Sequence, residues 1–207
     1  MTEDEARAWI AARHGAEGVA AMEQIAVVVI GAATQQNLVA PSTLATMWSR
    51  HIVDSAQLLE LAGESQPDAL WVDIGSGAGF PGLVVAALSD RIVYLVEPRR
   101  MRAAFLKDAV EALGLDVRVR VIADRIQAVS GVVATVISAR AVAPIADLFA
   151  WSQACTSKKT QWILPKGRSA REDVATALET WHGVFHVEHS ITDPKSLIVL
   201  ASGVARR

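Results

Sequence analysis

The sequence predicts an α/β fold in which a mostly parallel sheet of seven strands follows a helical N-terminal segment. Three observations predict it. From Asp68 onward short β-branched runs alternate with helical segments, the pattern of a parallel sheet covered on both faces. One of those runs, Leu70 to Ile74, passes directly into a glycine cluster and then a helix opened by Pro81. Residues 1–65, by contrast, place apolar side chains at helical spacing with no strand-like alternation.

Taken in order, helices are expected over Glu3 to His14, Gly18 to Thr34 and Leu44 to Leu61. Between the last two lies Asn37-Leu38-Val39-Ala40-Pro41-Ser42, with Ser42 or Thr43 as the helix cap. The strands are Leu70–Ile74, Ile92–Val96, Val117–Ile122, Val132–Ile137, Gln161–Leu164, Val184–Glu188 and Leu197–Ala201. Helices over Pro81–Leu88, Arg99–Leu113, Ile145–Ala154 and Ala170–Thr180 fit between most of them. Only a short segment separates the last two strands, which implies an antiparallel, hairpin-like edge on an otherwise parallel sheet. With 207 residues, 52% of them hydrophobic, the chain can bury a full core. The expected organisation is a helical extension over residues 1–65 and a sheet domain over residues 66–207, folded as one compact unit.

Composition narrows the functional classes. The apolar stretch Ile25 to Ala33 is about half the ~20 residues that a membrane-spanning helix needs, and the acidic start Glu3-Asp4-Glu5 is unlike a secretory signal. A single cysteine, Cys155, cannot close an intramolecular disulfide. A cytoplasmic monomer with no membrane partner and no metal is expected. The formal net charge of −2 lacks the positive excess of many nucleic-acid binders, so a phosphate-rich partner must be held by local clusters. Candidates are Arg99-Arg100 with Arg102 and Lys107, Lys158-Lys159, Lys166 with Arg168 and Arg171, and Arg206-Arg207. Trp48, Trp71, Trp151 and Trp162 fall in apolar patterns and are expected in the core, not as base-stacking platforms.

The segment Asp73 to Gly82 carries the chemistry. Gly75, Gly77 and Gly79 leave no side chain in the way of a ligand approaching the backbone, and Pro81 suits a first helical turn, where an N–H has no intrahelical partner. Open parallel sheets bind ligands at the carboxyl ends of their strands, which places the ligand here. The next strand ends at Glu97, an acid able to accept hydrogen bonds from both ribose hydroxyls of a nucleoside. These features specify a nucleoside cofactor without specifying which, since Gly77 to Gly82 also satisfies the dinucleotide pattern G-x-G-x-x-G.

Two observations favour S-adenosylmethionine over a dinucleotide. Asp73, two residues before the first glycine, can interact with the cofactor's amino-acid end, and it can also simply accept hydrogen bonds from the glycine loop. The register Asp-x-Gly-x-Gly-x-Gly resembles the first motif of Rossmann-like methyltransferases, whose seven-stranded sheet ends in an antiparallel edge. In such folds the turn after the third strand, here Asp124-Arg125-Ile126-Gln127, lines the adenine; Ile126 and Gln127 are the candidates, and Asp124 as an ordinary helix cap is the alternative.

The end of the fourth strand limits the methyl acceptor. It reads Ser138-Ala139-Arg140-Ala141, with neither the Asn/Asp-Pro-Pro-aromatic motif of enzymes that methylate exocyclic amines nor the cysteine nucleophile needed at pyrimidine carbon 5. An acceptor with a free lone pair needs only alignment and electrostatics, and guanine nitrogen 7 is such an atom. Its methylation develops positive charge on the purine, so the site should offer acceptors and no unopposed cation.

Arg50-His51-Ile52-Val53-Asp54-Ser55, the turn Asp73 to Gly82, Ser138-Arg140-Ala141 and Leu164-Pro165-Lys166-Gly167, in this order, resemble the ribosomal RNA small subunit methyltransferase G family, also called glucose-inhibited division protein B. The resemblance covers nearly the whole chain. It implies a Rossmann-like, class I S-adenosylmethionine-dependent methyltransferase, with S-adenosylhomocysteine as product, acting on nitrogen 7 of a guanine in the 530 loop of 16S rRNA or of the small ribosomal subunit. In that family loss of activity is associated with low-level streptomycin resistance. Carried over, Gly75, Phe80, Ile126, Gln127 and Arg140 contact the cofactor, while Asn37, Arg50, His51, Asp54, Ser55 and Lys166 border the acceptor pocket. Arg140, His51, Asp54 and Lys166 are the candidate catalytic residues. Glu97 stands where the family often has an aspartate, and Gln127 where an acidic residue is common. On a helix His51, Asp54 and Ser55 share a face, and docking of that face on the sheet is the alternative to contact with RNA. A nicotinamide-dependent oxidoreductase and a noncatalytic RNA-binding module are the rival functions.

Overall fold

In a computed structural model of the chain, residues 1–33, 36, 38–63 and 69–207 are described. Helix α1 runs Glu3–Ala33 and breaks at Gly15, whose φ of 65° and ψ of −168° leave the helical region. The break separates two helices, as the sequence led one to expect, with the boundary at Gly15. By length and apolarity alone α1 passes for a membrane span. Its Ala6, Ile10, Met22, Ile25 and Val29 instead face the core of this protein and are buried there.

The predicted helix Leu44 to Leu61 is three stretches of different pitch: a 3₁₀ turn Pro41–Thr46, a π-helical stretch Trp48–Val53 and helix α2, Asp54–Ala62. Apolar spacing reports which face is buried and is too coarse to report pitch. The irregular junction is held from outside, since the Glu3 carboxylate accepts hydrogen bonds of 2.9 Å from the backbone N–H groups of Trp48 and Ser49. Wide turns of this kind recur at functional sites, and this one carries Arg50 and His51.

The sheet contains β1 (Leu70–Ile74), β2 (Ile92–Val96), β3 (Val119–Ile122), β4 (Val136–Ala139), β5 (Gln161–Lys166), β6 (Trp181–His189) and β7 (Leu197–Arg206). Their order is β3-β2-β1-β4-β5-β7-β6. Strands β1 to β5 are mutually parallel, and β7 runs antiparallel between β5 and β6. The antiparallel edge is as expected, and its strands are longer than expected because β6 and β7 continue to pair beyond the start of β5. Since β7 opposes both neighbours, β6 points the same way as β5. Its turn, residues 190–196, therefore opens at the carboxyl edge of the sheet.

Helices α3 (Gly82–Leu88), α4 (Arg100–Ala112), α5 (Ile145–Trp151) and α6 (Ala170–Leu178) complete the layers. Strand residues alternate between two cores, as a period of two demands. Trp71, Val93, Leu95 and Ile163 pack under α1, α2, α3 and α4. Val72, Ile74, Ile137, Trp162 and Leu164 pack under α5 and α6.

Candidate active site

The turn after β1 is shaped from behind by Asp73. This carboxylate is fully buried, accepts from Gly82 N–H at 3.1 Å and from the Ser138 hydroxyl at 2.7 Å, and so caps α3 while tying β1 to β4. Gly82 admits this contact because a Cβ there would lie 2.8 Å from Asp73 Oδ2 and 2.2 Å from Leu95 Cδ2. Burial raises the Asp73 pKa from 3.8 to about 6, against the hydrogen bonds that favour its charge. Its contribution to stability is thus present below pH 3.8 and lost as pH rises through 6. Of the two roles open to Asp73 in the sequence, these hydrogen bonds show that of holding the loop.

On the open side of the turn lies a cavity of about 490 Å³ at the carboxyl ends of β1, β2 and β4, bordered by Ile74, Gly75, Glu97, Ile126, Gln127 and Ala141 among others. Glu97 Oε2 accepts from Gly77 N–H at 3.0 Å and Oε1 from Arg99 N–H at 2.9 Å, which fixes the carboxylate at the cavity wall with a lone pair left on each oxygen. Ile126 is buried and Gln127 exposed on the same wall. Asp124 is exposed off the wall, bonded to Arg125 N–H, and Arg125 itself lines the cavity. Gly77, Gly79 and Phe80 shape the turn without lining the hollow. Trp151, expected in the core, is 37% exposed and also lines it. It sits at the last position of α5, where the helix leaves the sheet.

The donor set fits an adenosyl sulfonium. An acid lies at ribose reach, an apolar side chain and an amide stand together as an adenine wall requires, and Gly75 presents bare backbone. A Cβ on Gly75 would lie 2.6 Å from Val142 Cγ2, so the turn and the loop after β4 close together only because that position has none.

A second cavity, of about 300 Å³, opens beside the first and is bordered by Thr43, Arg50, His51, Asp54, Arg140, Lys166 and the turn residues Ser190, Thr192 and Ser196. Ala141 is the one described residue on the walls of both. It is also the one described non-glycine residue with positive φ, at 56°.

Residues 19–194 match the family model described as rRNA small subunit methyltransferase G. The chain belongs to this family. The ribosomal RNA small subunit methyltransferase G of Rhizorhabdus wittichii is 43% identical over 208 residues, covering 100% of this chain and 95% of that protein. That of Novosphingobium aromaticivorans is 44% identical over 204 residues, covering 97% and 88%. Among solved structures, a putative S-adenosyl-L-methionine-dependent methyltransferase from Methanococcus maripaludis superposes with a TM-score of 0.62 at 12% identity, covering 86% of this chain and 94% of that one. It shares the Rossmann-like fold.

The methyltransferase G motif residues converge on the second cavity around Arg140. Its guanidinium donates to Arg50 O at 3.2 Å, to Asp54 Oδ2 at 3.3 Å and to His51 Nδ1 at 3.1 Å, and it lies over the Phe80 ring. The side chain is thus on the second cavity, away from the first. Phe80 is buried beneath His51, with ring centroids 5.0 Å apart. Asp54 Oδ1 accepts from Ser190, Thr192 and Gln57, each at 3.1 Å, which fastens the β6–β7 turn to α2. Because Arg140 occupies His51 Nδ1, the proton rests on Nε2, which donates to Thr43 Oγ1 at 2.9 Å.

Burial first, then the cations of Arg140 and Arg50, lower the His51 pKa from 6.5 to about 4. The ring is neutral at pH 7. Its contribution to stability is present above pH 6.5 and lost as pH falls through 4. In an NMR titration the His51 Cε1–H resonance is expected to move with a midpoint near pH 4. Arg140→Met should raise that midpoint while leaving it below the ordinary value, since burial is the larger cause.

Two of the expected acceptor residues are engaged within the fold. Ser55 is buried and its hydroxyl donates to His51 O one turn back, so it faces the helix and not the cavity. Lys166 reaches the cavity wall, but its ammonium is held 2.7 Å from Asp173 Oδ2 and 2.7 Å from Ala143 O. The same Asp173 accepts from Ile145 N–H at the start of α5. A cation so engaged braces α5, α6 and the loop after β4 before it can meet a phosphate. Lys166→Met is expected to lower unfolding free energy by about 2 kcal/mol in urea, since it strands a mostly buried carboxylate. Asn37 lies outside the described residues.

Sequence reasoning missed Thr43, Gln57, Ser190, Thr192, Ser196 and Ala141. One signal was present: in a sheet whose last two strands form an antiparallel hairpin, the polar turn Ser190 to Ser196 must fall at the same edge as the glycine turn. Cys155 is buried and its thiol pushed up to about 11, which leaves no nucleophile for chemistry at pyrimidine carbon 5.

Proposed function

We propose that the chain transfers a methyl group from S-adenosylmethionine to nitrogen 7 of a guanine in the 530 loop of 16S rRNA, with the cofactor in the larger cavity and the guanine in the smaller. The observation that carries this reading is that two cavities share Ala141 as a wall, one bordered by Gly75, Glu97, Ile126 and Gln127 and the other by Arg50, His51, Asp54 and Arg140. The cofactor supplies an electrophilic methyl carbon on a sulfonium. Everything else asked of the protein is alignment, because the acceptor lone pair needs no base.

Charge favours this acceptor. Each cation on the second cavity's wall has a carboxylate partner: Arg50 with Asp193, Arg140 with Asp54 and Lys166 with Asp173. His51 beside them is neutral at pH 7. A purine that becomes cationic in the transition state thus meets no uncompensated positive charge, and Asp54 lies on the same wall to oppose it. Under this reading residues 1–65 form an extension that brings Arg50, His51 and Asp54 to the acceptor, and residues 66–207 form the cofactor-binding unit. The protein would act as a monomer in the cytoplasm on 16S rRNA, naked or assembled.

The test is to incubate the protein and methyl-labelled cofactor with small ribosomal subunits, and separately naked 16S rRNA, from a strain lacking the enzyme, and to map the modified nucleotide. One 7-methylguanosine in the 530 loop is expected. Binding of rRNA without labelling would favour a noncatalytic module, and tight NAD(H) binding with no response to S-adenosylhomocysteine would favour an oxidoreductase.

A further inference from the structure

Thr43 lies within the 3₁₀ turn Pro41–Thr46, and its hydroxyl belongs to a chain of hydrogen bonds that begins at Arg140. Arg140 Nη2 donates to His51 Nδ1 at 3.1 Å, His51 Nε2 meets Thr43 Oγ1 at 2.9 Å, and the Thr43 hydroxyl donates to Ala40 O at 2.8 Å. The turn starts at Ala40 with no side-chain cap, so neither Ser42 nor Thr43 serves as the helix cap expected from the sequence.

Both ends of the chain fix its direction, because a guanidinium only donates and a carbonyl oxygen only accepts. His51 Nδ1 must therefore present a lone pair, the ring proton sits on Nε2, and Thr43 accepts at its oxygen while its own hydrogen goes to Ala40 O. The other tautomer would aim an N–H of His51 at the guanidinium, donor against donor. Stacking on Phe80, with the ring planes 27° apart, restrains the plane of the imidazole but not its rotation within that plane. The bonds at the two ring nitrogens restrain that rotation, and Thr43 supplies one of them. Ala40 O also accepts from Thr43 N–H at 2.8 Å, so the far end of the chain is anchored on the backbone of the turn.

The geometry points to Thr43 as a positioning residue of the acceptor site: its oxygen holds His51 with the Nδ1 lone pair toward Arg140, and so keeps the guanidinium at the end of β4. This inference rests on the acceptor reading of the second cavity, whose wall includes Thr43, His51 and Arg140. Thr43 acts through those two side chains and donates nothing to the substrate, since its one hydroxyl hydrogen already goes to Ala40 O.

Two measurements on the full-length protein test it. The first is single-turnover methyl transfer to small ribosomal subunits at saturating cofactor. Thr43→Val keeps the shape of the side chain and removes the acceptor. It should lower the rate about tenfold, the scale of one hydrogen bond, with S-adenosylhomocysteine affinity unchanged, and Thr43→Ser should restore the rate. In an Arg140→Met background Thr43→Val should cause no further loss, because Thr43 acts only by way of Arg140. Additive losses, or a Thr43→Val rate equal to wild type, overturn the proposal. The second measurement follows by NMR the His51 Nε2–H of protein carrying isotope-labelled histidine, assigned among the five histidines by its loss in His51→Gln. That proton should exchange with solvent about tenfold faster in Thr43→Val than in wild type or Thr43→Ser. Equal exchange in all three overturns the proposal by itself. If the wild-type protein transfers no methyl, the acceptor reading falls, and the exchange of this proton still decides whether Thr43 holds His51.

Discussion

Arg140→Met is expected to lower methyl transfer to 16S rRNA by about 100-fold, the scale of a misplacement of reacting groups by ~1 Å, with the protein still folded. Among the described residues Arg140 is the only side chain that joins the end of β4 to Arg50, Asp54 and His51 together. Methionine keeps the unbranched start of the side chain and removes every donor together with the guanidinium over Phe80. Asp54 Oδ2 loses its partner, but Oδ1 retains three. The loss in stability is then about 1–3 kcal/mol, against the 5–15 kcal/mol typical of a domain. Single-turnover labelling at saturating cofactor reads the rate, and a thermal melt reads the fold. A wild-type rate in a folded variant would remove Arg140 from the acceptor site. So would a lowered rate that traced wholly to weaker cofactor binding.

Gly75→Ala is expected to weaken S-adenosylhomocysteine binding by about 10- to 100-fold. Two effects add. The φ of 69° is left-handed, which a residue with a Cβ adopts at a cost of about 1–2 kcal/mol. The new methyl would also lie 2.6 Å from Val142 Cγ2, and a β-branched side chain has few rotamers into which it can retreat. Because Val142 lines the cofactor cavity, its displacement narrows the hollow or opens the loop that carries Ala141. Calorimetry on a double-mutant cycle separates the effects: Gly75→Ala/Val142→Ala should regain the part due to crowding and retain the part due to backbone strain. Equal affinity in wild type and Gly75→Ala would show that the cofactor does not lie against this turn.

Both predictions concern a site of which one half was legible in the sequence and the other half only in part. The cofactor half rests on contiguous segments. β1, the turn and α3 follow one another in the chain, and β2 delivers Glu97 twenty residues after Gly77. Short range makes such a unit readable, because each residue's role follows from strand, turn and helix geometry alone. Ile126 and Gln127 were named instead from the resemblance to Rossmann-like methyltransferases, and both border the same cavity as Glu97. Trp151 was not, because an apolar residue at helical spacing reads as core wherever the helix happens to end.

The acceptor half is assembled from residues far apart in the chain, and there local pattern misleads. His51, Asp54 and Ser55 share a helical face only if the helix is regular. The π-helical stretch Trp48–Val53 changes the pitch, and Ser55 turns to the backbone while Asp54 meets Ser190 and Thr192. Lys166 looked like a free cation because nothing near it in sequence is acidic within the strand. Its partner Asp173 arrives from α6.

Composition and spacing thus determined the α/β class, the seven strands with their antiparallel edge and the place of the glycine turn. These are properties of periodicity and of backbone stereochemistry, which act over a few residues. The fold alone decided which charges are paired, where the His51 proton rests, which wall the β6–β7 turn completes and that Ala141 borders two cavities. Those depend on long-range contacts and on burial, and neither desolvation nor an ion pair across the sheet leaves a trace in the order of residues along the chain.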